Sequence, residues 1–369
     1  MFSQNFYFKT KIVCFKYFRP VKSKKRILLA PLDWGIGHAT RCIPIIKALI
    51  ANNFTVVIAA DGRPLHLLSK EFPKLEIIRL PGYNIKYSSY LAMSINMLLQ
   101  VPKIIWNIKK ENTTLNDIIK DYKIDGVISD NRFGLHAIKI PCVFITHQLE
   151  IKSPYFTKKI QQFNYRYINR FNVCWVIDNK ENNLAGKLSR PNILPNNTIY
   201  IGTQSRFEYE KMAKKYDFLA IVSGPETQRE ILERGLTKAL QGRTERSLIV
   251  LGKPELNNTS QIGNLTIKSH LGTEELNKVI LQSKLIICRP GYSTIMDLEK
   301  LRSKAFFIPT PGQTEQEYLS KELYQKNICY YQNQNKFNFE KAIIESENYT
   351  GFSRPEKQII NWKKLFSLF

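Results

Sequence analysis

RILLAPLDWGIGHATR, residues Arg26–Arg41, is the stretch whose reading decides the fold. RILLA is a short apolar run closed by Pro31, the pattern of a buried strand. Asp33–His38 is a glycine-containing turn, and a helical pattern follows over Arg41–Ala51. A buried strand that feeds through a glycine turn into a helix is the opening unit of an α/β sheet. The rhythm continues outward: Phe54–Ala60, Glu76–Leu80, Gly126–Ser129, Pro141–Thr146 and Val173–Ile177 are further strand-like runs, with helical segments between them. Strands alternating with helices imply right-handed crossovers and a parallel sheet.

The rhythm then restarts. Phe218–Ser223 (FLAIVS) reads as a strand and about Thr227–Leu240 as a helix. Ser247–Leu251, Leu265–Lys268, Leu285–Cys288 and Ala305–Pro309 read as strands, and Glu274–Ser283, Ser293–Leu301 and Glu315–Lys326 as helices. The expected fold class is therefore α/β, with two Rossmann-like doubly wound domains facing across a cleft. The expected divisions are a basic leader over residues 1–25, a first domain over 26–205, a second over 206–353 and an amphipathic helix over 354–369, with the domain boundary near Gly202–Phe207. Open α/β sheets bind ligands at the carboxyl ends of their strands, so the cleft is the expected site.

Composition bounds the function. The chain has 369 residues, enough for two domains, and 43% are hydrophobic, which excludes a disordered chain. Its six cysteines are scattered with no CxxC pair, so neither a zinc ribbon nor a disulfide scaffold is indicated, and reduced thiols are expected. The net charge is +24, unevenly spread: residues 1–205 hold 30 basic against 12 acidic residues, residues 206–369 hold 25 against 19. Such a surplus favours an anionic partner, although lysines on a solvated surface account for it as well. The most apolar stretch, Leu91–Ile108, is interrupted by Asn96, Gln100, Pro102, Lys103 and Asn107, so no spanning helix is expected. Met1–Pro20 lacks an unbroken apolar run and a small-residue cleavage site, so a secretory signal is not expected.

Three strand-to-helix loops carry chemistry. In the first, PLDWGIGHATR (Pro31–Arg41), Gly35 and Gly37 allow a tight turn and close backbone approach, and the helix start offers free N–H groups to an anion. His38 stands at the mouth of that turn as a candidate base. This is not a dinucleotide GxGxxG, whose third glycine is missing, and a histidine that merely caps the helix reads the same residues. In the second, CRPGYSTIMDL (Cys288–Leu298), Gly291, Ser293 and Thr294 direct N–H and hydroxyl groups at phosphate oxygens, and Asp297 can accept from a ribose diol. An ordinary helix capped by Ser293 or Thr294 fits that segment equally. The third is PTPGQTEQEY (Pro309–Tyr318).

Together these segments resemble the two-domain GT-B glycosyltransferases of family 28, the MurG-like group, over roughly Arg26–Lys326. The likeness is strongest in RPGYSTIMDL and PTPGQTEQEY and weaker in GIGHATR. The resemblance implies a donor site in which Asp297 holds the ribose, where the family has Glu. It implies that Arg289, Gly291, Ser293 and Thr294 hold phosphate and sugar, and that Gln316 and Glu317 contact the sugar. Ser223 and Gly224 match a diphosphate loop, Arg206 an interdomain segment, and Leu271 a position whose backbone reads a uracil edge. On the acceptor side it implies Gly35, Gly37, His38, Arg41, Arg132, His147 and Gln148, because Thr146-His147-Gln148 resembles the family's His-Glu-Gln-Asn segment. The differing first loop and the Asp297 and Glu317 exchanges point to a sister group with another acceptor.

The implied activity is metal-independent, inverting transfer of a hexose or N-acetylhexosamine from a nucleotide-diphosphate sugar, UDP-linked as in UDP-N-acetylglucosamine, to a lipid-linked or glycan acceptor of the cell envelope. No cofactor is implied. His38 is the first candidate base, with Asp33 and Asp130 as substitutes. Tyr83–Trp106, with Lys86 and Lys103, and the basic, aromatic stretch around Lys152, Tyr155, Phe156, Lys158, Lys159, Phe163, Tyr165, Arg166, Tyr167 and Arg170 suit docking to an anionic membrane. The expected location is therefore cytoplasmic, peripheral on the inner face of the membrane. A solvated helical pair fits the same residues. A nucleotide-sugar hydrolase or 2-epimerase and a non-catalytic nucleotide-sugar-binding protein are the alternatives. Nucleic-acid binding has only the charge in its favour, with no matching motif.

Overall fold

A computed structural model describes residues 24–83, 100–151, 157–353 and 360–369. The basic leader up to residue 23, most of the Tyr83–Trp106 stretch including Lys86, and Lys152, Tyr155 and Phe156 lie outside the described residues, as do residues 354–359 of the expected C-terminal helix.

The first half forms β1 (Arg26–Pro31), α1 (Gly37–Ala51), β2 (Thr55–Ala60), α2 (Gly62–Glu71), β3 (Glu76–Arg79), α3 (Val101–Asp121), β4 (Gly126–Asp130), β5 (Cys142–Thr146), α4 (Thr157–Ile168), β6 (Val173–Val176) and β7 (Thr198–Tyr200). They make a seven-stranded sheet in the order β3-β2-β1-β4-β5-β6-β7, parallel throughout. The order reverses beside β1, where Ile27 pairs with Val56 on one side and Gly126 on the other. That reversal opens the crevice where a doubly wound sheet takes its ligand. Apolar runs are continuous because β1, β4 and β5 are covered on both faces: Ile27, Leu29 and Ile145 face one apolar cluster, and Leu28, Val127 and Phe144 the other.

The second half forms β8 (Tyr216–Ile221), α5 (Glu226–Leu240), β9 (Ser247–Val250), β10 (Thr259–Ile262), β11 (Leu265–Lys268), α6 (Thr273–Leu281), β12 (Ser283–Cys288), α7 (Tyr292–Lys300), β13 (Ala305–Phe307), α8 (Thr314–Gln325), β14 (Tyr330–Tyr331) and α9 (Phe339–Glu347). Its sheet runs β10-β11-β9-β8-β12-β13-β14, reversing beside β8. These are the two Rossmann-like domains expected. One departure is the β10–β11 hairpin, turned at Gly263 (φ +57°), which adds an antiparallel edge to a sheet expected to be parallel.

The other departures have a common cause. Strands β7, β10 and β14 are short and largely solvent-facing, so they carry no apolar run to mark them. The expected helix over 354–369 is, among the described residues, the single turn α10 (Trp362–Phe366). It returns to the first domain. Phe366 packs edge-on against Phe54, with ring centroids 5.6 Å apart, and also meets Trp175. Phe369 lies where a side chain on Gly126 would clash at 2.4 Å. One apolar cluster runs from Ile27 and Trp175 of the first sheet through Tyr292 and Met296 to Phe307 of the second, so the two domains share packed surface.

Candidate active site

The carboxyl end of β1 faces those of the neighbouring β8 and β12 across a cleft of about 750 Å³. Helix α1 starts at Gly37, four residues earlier than its apolar pattern suggests, so His38 and Arg41 sit one turn apart on the same helix face. The helix starts of α1, α5, α6, α7 and α8 have no side-chain cap, which leaves their first N–H groups to a ligand or solvent. The α7 start, at Gly291, lines the cleft, where its N–H groups and positive dipole end suit a diphosphate. Directly opposite, the Ser293 hydroxyl donates to the Gly37 carbonyl at 2.8 Å and joins α7 to α1.

Beneath His38 lies a buried polar chain. Asp130, at the end of β4, is fully buried. Arg41 grips it through Nε (2.7 Å to Oδ2) and through Nη2, and His38 Nδ1 lies 3.2 Å from Asp130 Oδ1. Burial alone would raise the Asp130 carboxyl, but Arg41 and His38 hold it well below the usual carboxylate range. Burial, followed by the Arg41 charge, pushes the His38 imidazole down against the pull of Asp130. The Nδ1 edge is taken up by Asp130 and by Arg41 Nη2 at 2.9 Å, and Nε2 makes none of these contacts. Arg41 Nη1 reaches His147 Nδ1 at 3.0 Å, and His147 Nε2 reaches Glu315 Oε1 at 2.8 Å. His147 also stacks on Tyr292, with centroids 4.2 Å apart.

On the other wall Asp297 accepts from Ser205 Oγ at 2.5 Å, and burial pushes its carboxyl up to about 6 in spite of Arg206. The Arg206 guanidinium, pushed down by burial, reaches Thr273 Oγ1 at 3.2 Å, which in turn donates to Glu71 of the first domain at 3.0 Å. Gly224 holds φ +114°, a conformation that glycine takes most readily. Gln316 accepts from the Thr310 N–H at 2.8 Å.

Of the residues singled out in the sequence, Asp33, Gly35, Gly37, His38, Arg41, His147, Arg206, Ser223, Gly224, Leu271, Gly291, Ser293, Thr294, Asp297 and Gln316 line the cleft. Five do not. Asp130 lies beneath the cleft and, already paired with Arg41, orients His38 rather than standing in for it. Arg132 is fully buried with Glu111 and the Leu80 and Pro81 carbonyls, so it reaches no acceptor. Gln148 stands apart from the cleft lining, with its N–H on Thr146 Oγ1. Arg289 turns its guanidinium onto the Ile308, Pro309 and Gln228 carbonyls, and burial pushes it down to about 10. Glu317 caps the Gly312 N–H at 2.8 Å, and its neighbour Glu315 takes the place in the cleft. Glu315, Tyr292 and Thr310 are cleft residues that the motifs contained without marking. The helical spacing of α8, which brings residues 315 and 316 to one end, was the signal available. Phe163 and Tyr167 of the basic, aromatic stretch pack together at 4.6 Å inside the first domain, while Lys158, Lys159, Arg166 and Arg170 are exposed.

Among the described residues no helix is long and apolar enough to cross a membrane, and no group of three or more His, Cys, Asp or Glu could hold a metal ion. A family model described as Glycosyl transferase family 1 matches residues 25–346. No curated protein matches the chain by sequence. Among solved structures, it is similar to the glycosyltransferase SnogD from Streptomyces nogalater (13% identity, 94% of this chain and 99% of that one, TM-score 0.60). It is likewise similar to the spinosyn rhamnosyltransferase SpnG complexed with thymidine diphosphate (13%, 93% and 95%, TM-score 0.60). MurG of Acinetobacter baumannii is a further neighbour (16%, 89% and 92%, TM-score 0.52). At these identities the neighbours speak for the fold alone, and the family model carries the membership. The chain belongs to Glycosyl transferase family 1 and is a glycosyltransferase of the GT-B fold.

Proposed function

We propose that the protein transfers a sugar from a UDP-linked donor to a hydroxyl of a lipid-linked or glycan acceptor, with inversion at the anomeric carbon. Residues 26–205 hold the acceptor and residues 206–353 the donor. The observation that carries this reading is the His38 ring at the cleft mouth, its imidazole pushed down by burial, beside buried Asp130 and facing the open N-terminus of α7.

The chemistry follows from that arrangement. With the Arg41 Nη2 hydrogens kept on Asp130, His38 gives its Nδ1–H to Asp130 Oδ1 and takes the acceptor hydroxyl proton on Nε2. The acceptor oxygen bonds to the anomeric carbon as the opposite carbon–oxygen bond breaks, and the electron pair leaves with the nucleotide diphosphate. The free N–H groups of α7 and the loop at Ser223 and Gly224 stabilise the departing charge. Asp297 accepts from the ribose diol, and Gln316 with Glu315 lies where the sugar would sit. The RPGYSTIMDL and PTPGQTEQEY segments support kinship with the MurG-like group, with a different acceptor.

A thermal-shift panel of nucleotide sugars tests the donor, because a ligand that binds only the folded state raises its melting point. No shift with any UDP-sugar would overturn the donor assignment. His38→Ala tests the base: loss of roughly 10²–10⁴-fold in transfer is expected, and unchanged transfer removes His38 from the mechanism. Exposed Lys158, Lys159 and Arg166 on α4, with Arg170 in the turn after it, support docking to the anionic inner face of the cytoplasmic membrane. Failure to co-sediment with anionic vesicles at low salt would exclude that docking.

A further inference from the structure

We propose that Asp33 and Trp34 form a subsite for the acceptor, and that the acceptor presents a neutral pyranose ring there rather than a phosphate. The proposal rests on the cleft being a glycosyl-transfer site with the acceptor on the first domain, and it narrows that acceptor to one chemistry.

The two residues stand on one turn. Strand β1 ends at Pro31, and the Gly35 N–H donates back to the Asp33 carbonyl at 3.0 Å, which closes a three-residue turn with Trp34 at its apex. Gly35, at φ +76°, lets the chain leave that turn and enter α1. Both residues line the cleft together with His38.

The Asp33 carboxylate has no partner. Among the described residues it makes no hydrogen bond and no ion pair, and its Oδ1 is enclosed. It fits against Gly82, where any side chain would overlap both carboxylate oxygens. The other carboxylates at the cleft are engaged: Asp130 by Arg41, Asp297 by Ser205 and Glu315 by His147. A carboxylate oxygen held away from water with nothing to accept from is costly, and a ligand hydroxyl removes that cost.

Trp34 supplies the other half. It is 40% exposed, and among the described residues its indole stacks on no ring and meets no cation. A lone exposed tryptophan is ordinary on a protein surface. On one turn with an unpartnered carboxylate, inside a cleft, it has a specific complement. The C–H face of a pyranose lies flat on the electron-rich face of an indole, while hydroxyls at its edge donate to a carboxylate. A phosphate brings charge of the same sign to Asp33 and no apolar face to Trp34. Because His38 stands in the first turn of the helix that follows, a hydroxyl of the bound ring is the group offered to the base.

Saturation-transfer nuclear magnetic resonance on the full chain, with UDP present, tests this without turnover. The probes are methyl β-D-glucopyranoside, methyl β-D-galactopyranoside and methyl N-acetyl-β-D-glucosaminide, with citronellyl phosphate as the competing phosphate. At least one glycoside should show saturation of its ring protons, and citronellyl phosphate should not displace it. Trp34→Ala should weaken the glycoside roughly two- to tenfold, and Trp34→Phe, which keeps an aromatic face, should restore most of the binding. Asp33→Asn should weaken it roughly 10–100-fold. Trp34 is exposed and Asn matches Asp in shape, so both variants should keep the fold, which melting curves check. Absence of ring saturation with all three glycosides, undiminished binding in either Trp34→Ala or Asp33→Asn, or displacement by citronellyl phosphate overturns the proposal. Failure of the donor reading shows separately, as absence of UDP binding by the wild-type chain in the same spectra, and leaves the contact between glycoside and Trp34 standing.

Discussion

Ser293 of the second domain donates its hydroxyl to the backbone carbonyl of Gly37 in the first, at 2.8 Å. The helix starts of the two domains therefore meet at the centre of the cleft, and residue 37 has little room. A Cβ there would sit 3.0 Å from Ser293 Oγ. Gly37→Ala should push the helices apart at a cost of about 1–3 kcal/mol and weaken nucleotide-sugar binding several-fold. Calorimetric titration checks this, and pairing with Ser293→Ala should recover part of the loss.

Asp297 gives a pH dependence whose sign can be worked out. Its carboxyl is raised to about 6, above its unfolded value of about 3.9, so the native state binds the extra proton between those values. Stability should decline as pH rises through that window. The proposed donor binding, with the carboxylate accepting from the ribose, should instead weaken as pH falls below about 6. Asp297→Asn should stabilise the unliganded protein by roughly 1–2 kcal/mol while reducing donor affinity. Melting curves with and without UDP-sugar at pH 5 and pH 8 separate the two effects.

Arg41→Ala should be among the most damaging substitutions. It leaves Asp130 buried without its cationic partner, and breaking such a pair costs about 3–5 kcal/mol. Because the Asp130 carboxyl is held low, the stability it contributes is present above pH ~4 and is lost as pH falls further. Denaturant titrations of wild type and variant across pH 3–7 should draw closer below pH ~4 without meeting by pH 3.

Phe366 belongs to the stability of the first domain although it follows the second in sequence. It is 3% exposed and packs on Phe54 and Trp175. Phe366→Ala should cost about 3–5 kcal/mol. Hydrogen exchange should show the loss at β1, β2 and β6 rather than in the second sheet.

The central strands were legible because they are buried on both faces and so are written as unbroken apolar runs; β1, β5 and β12 fall within two residues of where the sequence puts them. The edge strands β7, β10 and β14 were not, since solvent-facing strands need no such run. The three strand-to-helix loops were legible through their glycines and short polar residues, because helix starts that approach a ligand demand small side chains and free N–H groups. By itself the sequence thus determined two α/β sheets, the cleft between them and fifteen of the residues that line it. Only the tertiary structure decided which polar residues face that cleft. Arg132 and Arg289 have the chemistry of ligand-binding residues, yet each is buried against neighbours from distant segments. His147 and Glu315, 168 residues apart, form a hydrogen bond that no local spacing encodes. Backbone patterning is a local property with a fixed period. The partner of a buried charge is chosen by the packing of segments remote in sequence, and that choice separates the polar residues that line the cleft from those buried behind it.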